Sequence, residues 1–301
     1  MASQEKYAGA SAEVTADDVL RLCEFIYRRT GMLFDGSKRY YIDRRLTERM
    51  VATQSKNFPE YFAHLRSDAE HEIEYLINAF TVNETYFYRE DHQLRCMTSN
   101  LLDEIVLQKN PDQPIRIWSV PCSTGEEPYS IAMTLVEALG EHAARQCTVF
   151  ASDIDSQVLA KAEAGVYSLD QVKALPVERL KRFFLKGTGS HAGLVKVRPE
   201  LRAMVNFGRV NLTDARYDVK GPFDAIFCRN VMIYFDKPTQ GQVLSRFEPL
   251  MKPGALLFAG HSENFTYVSQ AFRLRGQTVY ELSRDLKPTA KPQRALAGEA
   301  A

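Results

Sequence analysis

WSVPCSTGEEPYS, residues 118–130, joins an apolar strand to a helix through a loop of small residues and two carboxylates. Ile115, Ile117 and Val120 mark the strand, and apolar residues then recur at helical spacing up to Gly140, which suits a helix C-terminus. At the carboxyl end of a parallel strand, such a loop lies where α/β proteins bind their ligands. Its two acids argue against a phosphate ligand.

The composition is that of a globular protein of about two domains. The chain has 301 residues, of which 45% are hydrophobic and 25% charged, so it can bury a sizeable core. Its formal net charge is zero, so no overall field attracts it to nucleic acid or anionic lipid. Any electrostatic recognition must therefore be local.

Cysteine and histidine usage predicts neither disulfides nor a metal. The five cysteines are widely spaced without a CxxC pair, and the six histidines lack the spacing of metal ligands. The chain contains no apolar run of about 18 residues and no signal-peptide pattern at its start. We therefore expect a cytoplasmic protein that does not insert into a membrane.

Two regions follow from the periodicity. Apolar residues recur at helical spacing over residues 15–80, and Thr15 with Asp18 resembles a capping box, which predicts a small all-helical domain. Residues 81–114 are predicted to form a linker and connecting helix. The polar or Pro- and Ala-rich stretches 1–14 and 285–301 are predicted to be disordered tails.

From residue 115 to 284 strands and helices alternate, which predicts an α/β domain with a mostly parallel sheet. The expected strands are 115–120, 147–151, 205–212, 223–228 and 255–259, the last after a Lys252-Pro253-Gly254 turn. A hairpin of residues 272–274 and 278–282 is expected to turn through 275–277. Residues 166–199 break the alternation and predict an inserted antiparallel β-subdomain.

The loop after the first strand lacks the G-x-G-x-x-G pattern of dinucleotide binding. Carboxylates suit a cationic or hydroxyl-rich ligand, and Asp153, ending the next strand, stands where an acid accepts hydrogen bonds from ribose. Together they favour S-adenosylmethionine. Alternatively, Glu126 and Glu127 only favour the positive end of the helix dipole, and Asp153 or Asp155 caps a helix, which we favour for Asp155.

Three further groups are candidates for the site. Arg229, Asn230 and Tyr234 follow the fourth strand and could contact adenosine or line the transfer site; the alternative is an ordinary strand end with a core tyrosine. Asn83, Thr85 and Arg89 lie between the two domains and could close over a ligand, or could form a simple linker. Asn211 is a weaker candidate and could be a turn residue.

Helical spacing places Lys38, Arg45 and Arg49 on one face. Such a stripe is usually solvated surface, but it could dock an acidic partner helix.

Five segments closely resemble the bacterial chemotaxis receptor glutamate O-methyltransferases of the CheR type: TVNETYFYRE, WSVPCSTGEEPYSIA, FASDID, GPFDAIFCRNVMIYF and LLFAGHSENF. The likeness runs from about Asp17 to Arg284. It implies a small N-terminal all-α domain and a class I, Rossmann-like methyltransferase domain with a seven-stranded sheet and an inserted β-subdomain. It also implies transfer of a methyl group from S-adenosylmethionine to receptor glutamates.

The resemblance assigns roles residue by residue. Arg89 and Tyr234 match side chains near the transferring methyl, whereas Glu126 matches no cofactor contact. The basic helix matches one that faces the receptor, and Gly187 and Gly189 resemble the β-subdomain loop that binds a receptor C-terminal pentapeptide. The implied cofactor contacts are Asn83, Thr85, Arg89, Glu127, Asp153, Asn211, Leu212, Arg229 and Asn230.

The implied partners are the cytoplasmic domains of transmembrane chemoreceptors, served by a monomer recruited to receptor arrays. One alternative is a non-catalytic adaptor of the same fold, against which the joint presence of Asp153, Glu127, Asn230 and Tyr234 argues. A nucleic-acid methyltransferase is the other. One that methylates amino groups would typically carry an N-P-P-Y-type motif after the fourth strand, which Arg229-Asn230-Val231-Met232 is not.

Overall fold

The computed structural model describes residues 14–34, 38–67, 71–100, 114–140 and 146–283. Apart from Val14, the two predicted tails lie outside these residues. The helices are α1 Ala16–Thr30, α2 Arg39–Ala52, α3 Phe58–Ser67, α4 His71–Phe80, α5 Asp91–Asn100, α6 Glu126–Leu139, α7 Ser156–Ala164, α8 Leu169–Val172, α9 Val177–Phe183, α10 Pro199–Arg202 and α11 Lys237–Phe247. The strands are β1 Ile115–Ser119, β2 Cys147–Asp153, β3 Val166–Ser168, β4 Phe184–Lys186, β5 Leu194–Val197, β6 Val205–Arg209, β7 Phe223–Cys228, β8 Met251–Ala259, β9 Phe272–Gly276 and β10 Val279–Leu282.

Helices α1 to α4 form the predicted all-α domain around a shared apolar core. The capping box is confirmed, since the Thr15 side chain accepts from the Asp18 backbone N–H and Asp18 accepts from that of Thr15. Gly31 ends α1 with φ of +70°, and a Cβ there would lie 2.7 Å from Thr213 Cγ2. Glycine is therefore needed where α1 meets the second domain.

A mostly parallel, seven-stranded sheet confirms the predicted α/β class. Its order is β6-β2-β1-β7-β8-β10-β9, with β10 antiparallel to both of its neighbours. The chain runs outward from β1 through β2 to β6, then crosses to the other side of β1 to form β7 and β8. This reversal opens a crevice at the carboxyl ends of β1 and β7, where ligands bind in open α/β sheets.

The inserted subdomain is also confirmed as a separate three-stranded antiparallel sheet in the order β3-β5-β4. Two details of the strand predictions were wrong. Lys252, Pro253 and Gly254 lie within β8, where a register shift against β7 accommodates them instead of a turn. The last hairpin turns at Gln277 and Thr278, whose φ angles of 47° and 62° suit a tight two-residue turn.

Candidate active site

A cavity of about 480 Å³ lies at the carboxyl ends of β1, β2 and β7 and reaches the helical domain. This volume is within the range of small-molecule sites. All the predicted cofactor residues line it together with Tyr234, as does Lys38, whereas Arg45, Arg49, Gly187 and Gly189 do not. The lining residues proposed from the sequence are Asn83, Thr85, Arg89, Glu127, Asp153, Asn211, Leu212, Arg229, Asn230 and Tyr234.

The loop after β1 has the shape of a tight strand-to-helix turn. Gly125 has φ of +97°, and a Cβ there would lie 2.8 Å from Tyr167 Oη, so the single glycine of this loop is required. Ser123 is also left-handed, with φ of +47°, and its N–H donates to Asp153 Oδ2 at 2.9 Å. This bond joins the loops that follow β1 and β2.

Asp153 is buried, with 3% of its surface exposed, and accepts from the Ser123 and Asp155 backbones. Burial raises the pKa of its carboxyl group to about 6. Asp155 accepts from the N–H groups of Gln157 and Val158, so its predicted role as the cap of α7 is confirmed.

A buried ion-pair network surrounds Arg229, whose side chain is only 2% exposed. Its guanidinium lies 2.9 Å from Glu127 Oε2 and 3.3 Å from Glu90 Oε2, and it donates to the Arg89 carbonyl at 2.6 Å. Glu127 also accepts from the Ser119 hydroxyl at 2.8 Å. Burial raises the pKa of Glu127, and the attraction of Arg229 opposes that rise.

Glu126 does not share this environment, although it is adjacent in sequence. It is buried, accepts from the hydroxyl of Thr124 at 2.6 Å and from the Gln171 amide at 3.4 Å, and is not among the residues that line the cavity. Burial raises the pKa of its carboxyl group.

Sequence reasoning missed Glu263, which organises the segment after β7. Its buried carboxylate accepts from the backbone N–H groups of Asn230, Val231, Met232 and Gly260 at 2.6–3.0 Å. Asn230 has φ of +60°, and the four bonds hold it at the cavity wall. The only sequence signal was the position of Glu263 in the GHSEN segment after β8.

The opposite wall carries basic and phenolic groups. Arg89 donates to the Glu84 carbonyl at 2.7 Å, and Lys38 Nζ lies 5.9 Å from the centre of the Tyr234 ring. Burial raises the pKa of Tyr234, although nearby Arg89 lowers it, so the phenol keeps its proton at neutral pH. Lys38 and Arg89 thus lie near Tyr234, together with the acid Glu84, while Arg229 lies with Glu127 at the strand ends.

Several predicted residues also have structural partners. Asn211 donates to the Arg29 carbonyl at 2.6 Å and accepts from Thr213, so it forms a turn that also contacts α1. Arg49 pairs with the buried Glu72, and Arg45 lies over the Tyr41 ring and donates to the Ala79 carbonyl. The docking role of these two arginines stays a prediction.

The residues present fit S-adenosylmethionine. Asp153 and Glu127 keep free lone pairs for its hydroxyl or ammonium donors, because each carboxylate oxygen can accept more than one hydrogen bond. Arg229 lines the cavity and its buried Nε has no hydrogen-bond partner within the described residues. The side chains of Val210, Leu212 and Val231 add apolar surface suited to a purine ring.

The seven-stranded, mostly parallel sheet, with its cavity at the point of reversal, is the Rossmann-like fold of the class I methyltransferases. Residues 83–281 match the family model described as "CheR methyltransferase, SAM binding domain", and residues 17–81 match "CheR methyltransferase, all-alpha domain". This chain belongs to the CheR methyltransferase family, and its cofactor is S-adenosylmethionine.

Relatives named "Chemotaxis protein methyltransferase" include the following three. The protein from Klebsiella aerogenes is 50% identical over 267 residues, 88% of this chain and 89% of the relative. That from Salmonella typhimurium is 49% identical over 266 residues, 88% and 90% of the two chains. The Escherichia coli protein is 47% identical over 267 residues, also 88% and 90%. Among the helices described, none is long and apolar enough to cross a membrane.

Proposed function

We propose that this chain methylates the side-chain carboxylates of specific glutamates in chemoreceptors, giving glutamyl methyl esters and S-adenosylhomocysteine. The observation that carries the proposal is that two cations, Arg89 and Lys38, lie near Tyr234 in the cavity. Glu127 and Asp153 lie among the lining residues at the strand ends, whereas Arg89 and Lys38 line the side formed by the helical domain and the segment after it. A substrate carboxylate suits these two cations, and the names of the relatives support receptors as its source.

S-adenosylmethionine supplies a methyl group made electrophilic by its sulfonium. A glutamate with an ordinary pKa of about 4.3 is already ionised at neutral pH, so the reaction needs no general base. The protein must instead align the reactants, exclude water and provide fixed charges. We assign Arg89 to orienting a carboxylate of substrate or cofactor, and Tyr234 to donating a hydrogen bond at the transfer site.

The test uses labelled S-adenosylmethionine and bacterial membranes that contain chemoreceptors. Base-labile label on a receptor-sized band identifies a glutamyl methyl ester and supports the proposal, and membranes without receptors serve as the control. Cofactor binding without label transfer would favour the adaptor of the same fold. Label transferred to nucleic acid added to the same assay would favour a nucleic-acid methyltransferase.

An Arg89→Ala variant is expected to methylate receptor about tenfold to hundredfold more slowly, because it loses a charge-assisted contact. Isothermal titration with S-adenosylhomocysteine decides whether Arg89 orients the carboxylate of the substrate or that of the cofactor. Unchanged affinity assigns Arg89 to the substrate, and reduced affinity assigns it to the cofactor. The control is Arg95→Ala, which removes an exposed arginine paired with Asp91. Methylation at the parent rate would remove Arg89 from the mechanism.

Receptor docking is proposed to use two surfaces of a monomer working on the cytoplasmic side. Lys38 is exposed at the cavity and suits acidic receptor residues. The loop with Gly187 and Gly189 connects β4 and β5 of the inserted sheet, and binding of a receptor C-terminal pentapeptide there would raise the local enzyme concentration to about the millimolar range. Deletion of the receptor peptide should raise KM for receptor with kcat unchanged, whereas Lys38→Glu should raise KM and also lower kcat, because Lys38 lines the cavity. An unchanged KM would contradict the docking role of the surface that was tested.

A further inference from the structure

A closed circuit of four hydrogen bonds ties the segment between the two domains to the sheet. Asp155 N donates to Asp153 Oδ1 at 3.0 Å, and Ser123 N donates to Asp153 Oδ2 at 2.9 Å. The Ser123 hydroxyl then donates to the Asn83 carbonyl at 3.1 Å. Asn83 Nδ2 completes the circuit by donating to Asp155 Oδ2 at 2.8 Å. Asn83 therefore lies against the loops after β1 and β2.

The two oxygens of Asp155 have separate tasks. Oδ1 accepts from the first N–H groups of α7 and so caps the helix. Oδ2 faces the interdomain segment, where it accepts from Asn83 and from the Thr81 hydroxyl, the latter at 2.7 Å. Asp155 is only 2% exposed, so both sets of bonds are sheltered from water. A helix cap alone would not require the second set.

The second set fixes which way the Asn83 amide points. A carboxylate can only accept hydrogen bonds, so the amide nitrogen must face Asp155 and the amide oxygen must face away from it. No residue in the described part of the chain donates to that oxygen, and Asn83 lines the cavity. The oxygen is thus available to a donor of the ligand, such as a hydroxyl or an amino group.

We propose that Asp155 is a positioning residue that holds Asn83 so that its amide oxygen accepts a hydrogen bond from S-adenosylmethionine. The inference rests on the proposed cofactor role of Asn83, and it adds to that role the residue that sets its orientation. It explains why this chain has two acids, Asp153 and Asp155, at the end of one strand. The first faces the cavity, and the second orients a side chain that does.

The test is titration calorimetry with S-adenosylhomocysteine on the full chain. Asp155→Asn keeps a good helix cap but brings an amide donor against the donor of Asn83. Asn83→Asp places two carboxylates together. Each single variant is expected to bind about tenfold more weakly, since one buried hydrogen bond is lost. The double variant restores a donor–acceptor pair and keeps an oxygen toward the ligand, so its affinity should return to within about threefold of the parent.

Melting temperatures distinguish positioning from a purely structural role. Asp155→Asn should melt somewhat below the parent, because buried hydrogen bonds are lost, but well above the temperature of the titration, because the cap remains. A variant that lost affinity only through unfolding would melt near the temperature of the titration. Thr81→Val removes a second donor to the same oxygen and also an acceptor of Asn83 Nδ2 at 3.0 Å, so it should weaken binding without affecting the cap. The proposal is overturned if Asp155→Asn binds like the parent, or if the double variant shows the product of the two single losses.

The inference and the proposed function are tested by different measurements, so the failure of one can be told from the failure of the other. Calorimetry needs no receptor, so a chain that binds S-adenosylhomocysteine as expected but forms no methyl ester would sink only the proposed function. If Asn83→Ala binds as tightly as the parent, Asn83 is not a ligand and the inference fails, whatever the methylation assay gives.

Discussion

An Arg229→Met variant is expected to lose about 3–5 kcal/mol of its free energy of unfolding. Arg229 is almost fully buried and neutralises two carboxylates, those of Glu127 and Glu90. Methionine fills much of the space but leaves both acids without their cation. It also leaves the Arg89 carbonyl without its donor, so the segment that carries Arg89 loses its attachment to the end of β7. We therefore expect weaker cofactor binding as well as lower stability.

Urea denaturation measures the loss, with Arg28→Met as the control because Arg28 forms an exposed pair within α1 and should change stability by about 1 kcal/mol at most. The penalty should shrink as the pH falls from neutral toward about 5. Burial already raises the pKa of Glu127, and removal of Arg229 raises it further, so protonation favours the folded variant. Equal losses for the two variants would show that the buried network contributes nothing special.

Hydrophobic periodicity was enough to predict the fold and the region of the site. The strand over residues 223–228 is buried along its whole length, as expected for a central parallel strand, and its limits were predicted correctly. The ends of parallel strands meet at one edge of the sheet, so Asp153 and Arg229 could be placed near each other without coordinates. The loop of small residues after β1 could be assigned to the ligand site for the same reason.

Contacts between distant parts of the chain could not be predicted in this way. Glu263 lies 33 residues from Asn230, and Arg229 lies 139 residues from Glu90, so no local pattern links either pair. Arg49 gives the opposite lesson. Helical spacing assigned it to a predicted basic face, but spacing does not reveal that the buried Glu72 pairs with it. Periodicity predicts a face, whereas packing determines its partner.

An Asp153→Asn variant is expected to bind S-adenosylhomocysteine roughly a hundredfold more weakly at neutral pH, because it loses charge-assisted bonds to the ligand. The affinity of the parent for S-adenosylhomocysteine should itself fall at acidic pH. Burial raises the pKa of Asp153 to about 6, so below that pH one oxygen carries a proton and can no longer accept. We expect parent affinity to fall as the pH drops below about 6, because protonation removes the charge from the acceptor and turns one oxygen into a donor, and that of the variant to change less.

Calorimetry between about pH 5 and about pH 8 tests both statements. Unfolding does not explain the expected loss, because an acid whose pKa is higher in the folded state stabilises the fold as it becomes protonated. Asp170→Asn, which alters an exposed acid paired with Lys173, should follow the parent profile and serves as the control. Parallel profiles for parent and Asp153→Asn would mean that another group, such as Glu127, controls the pH dependence. The loop residue Glu127 would then replace Asp153 as the main acidic contact of the cofactor.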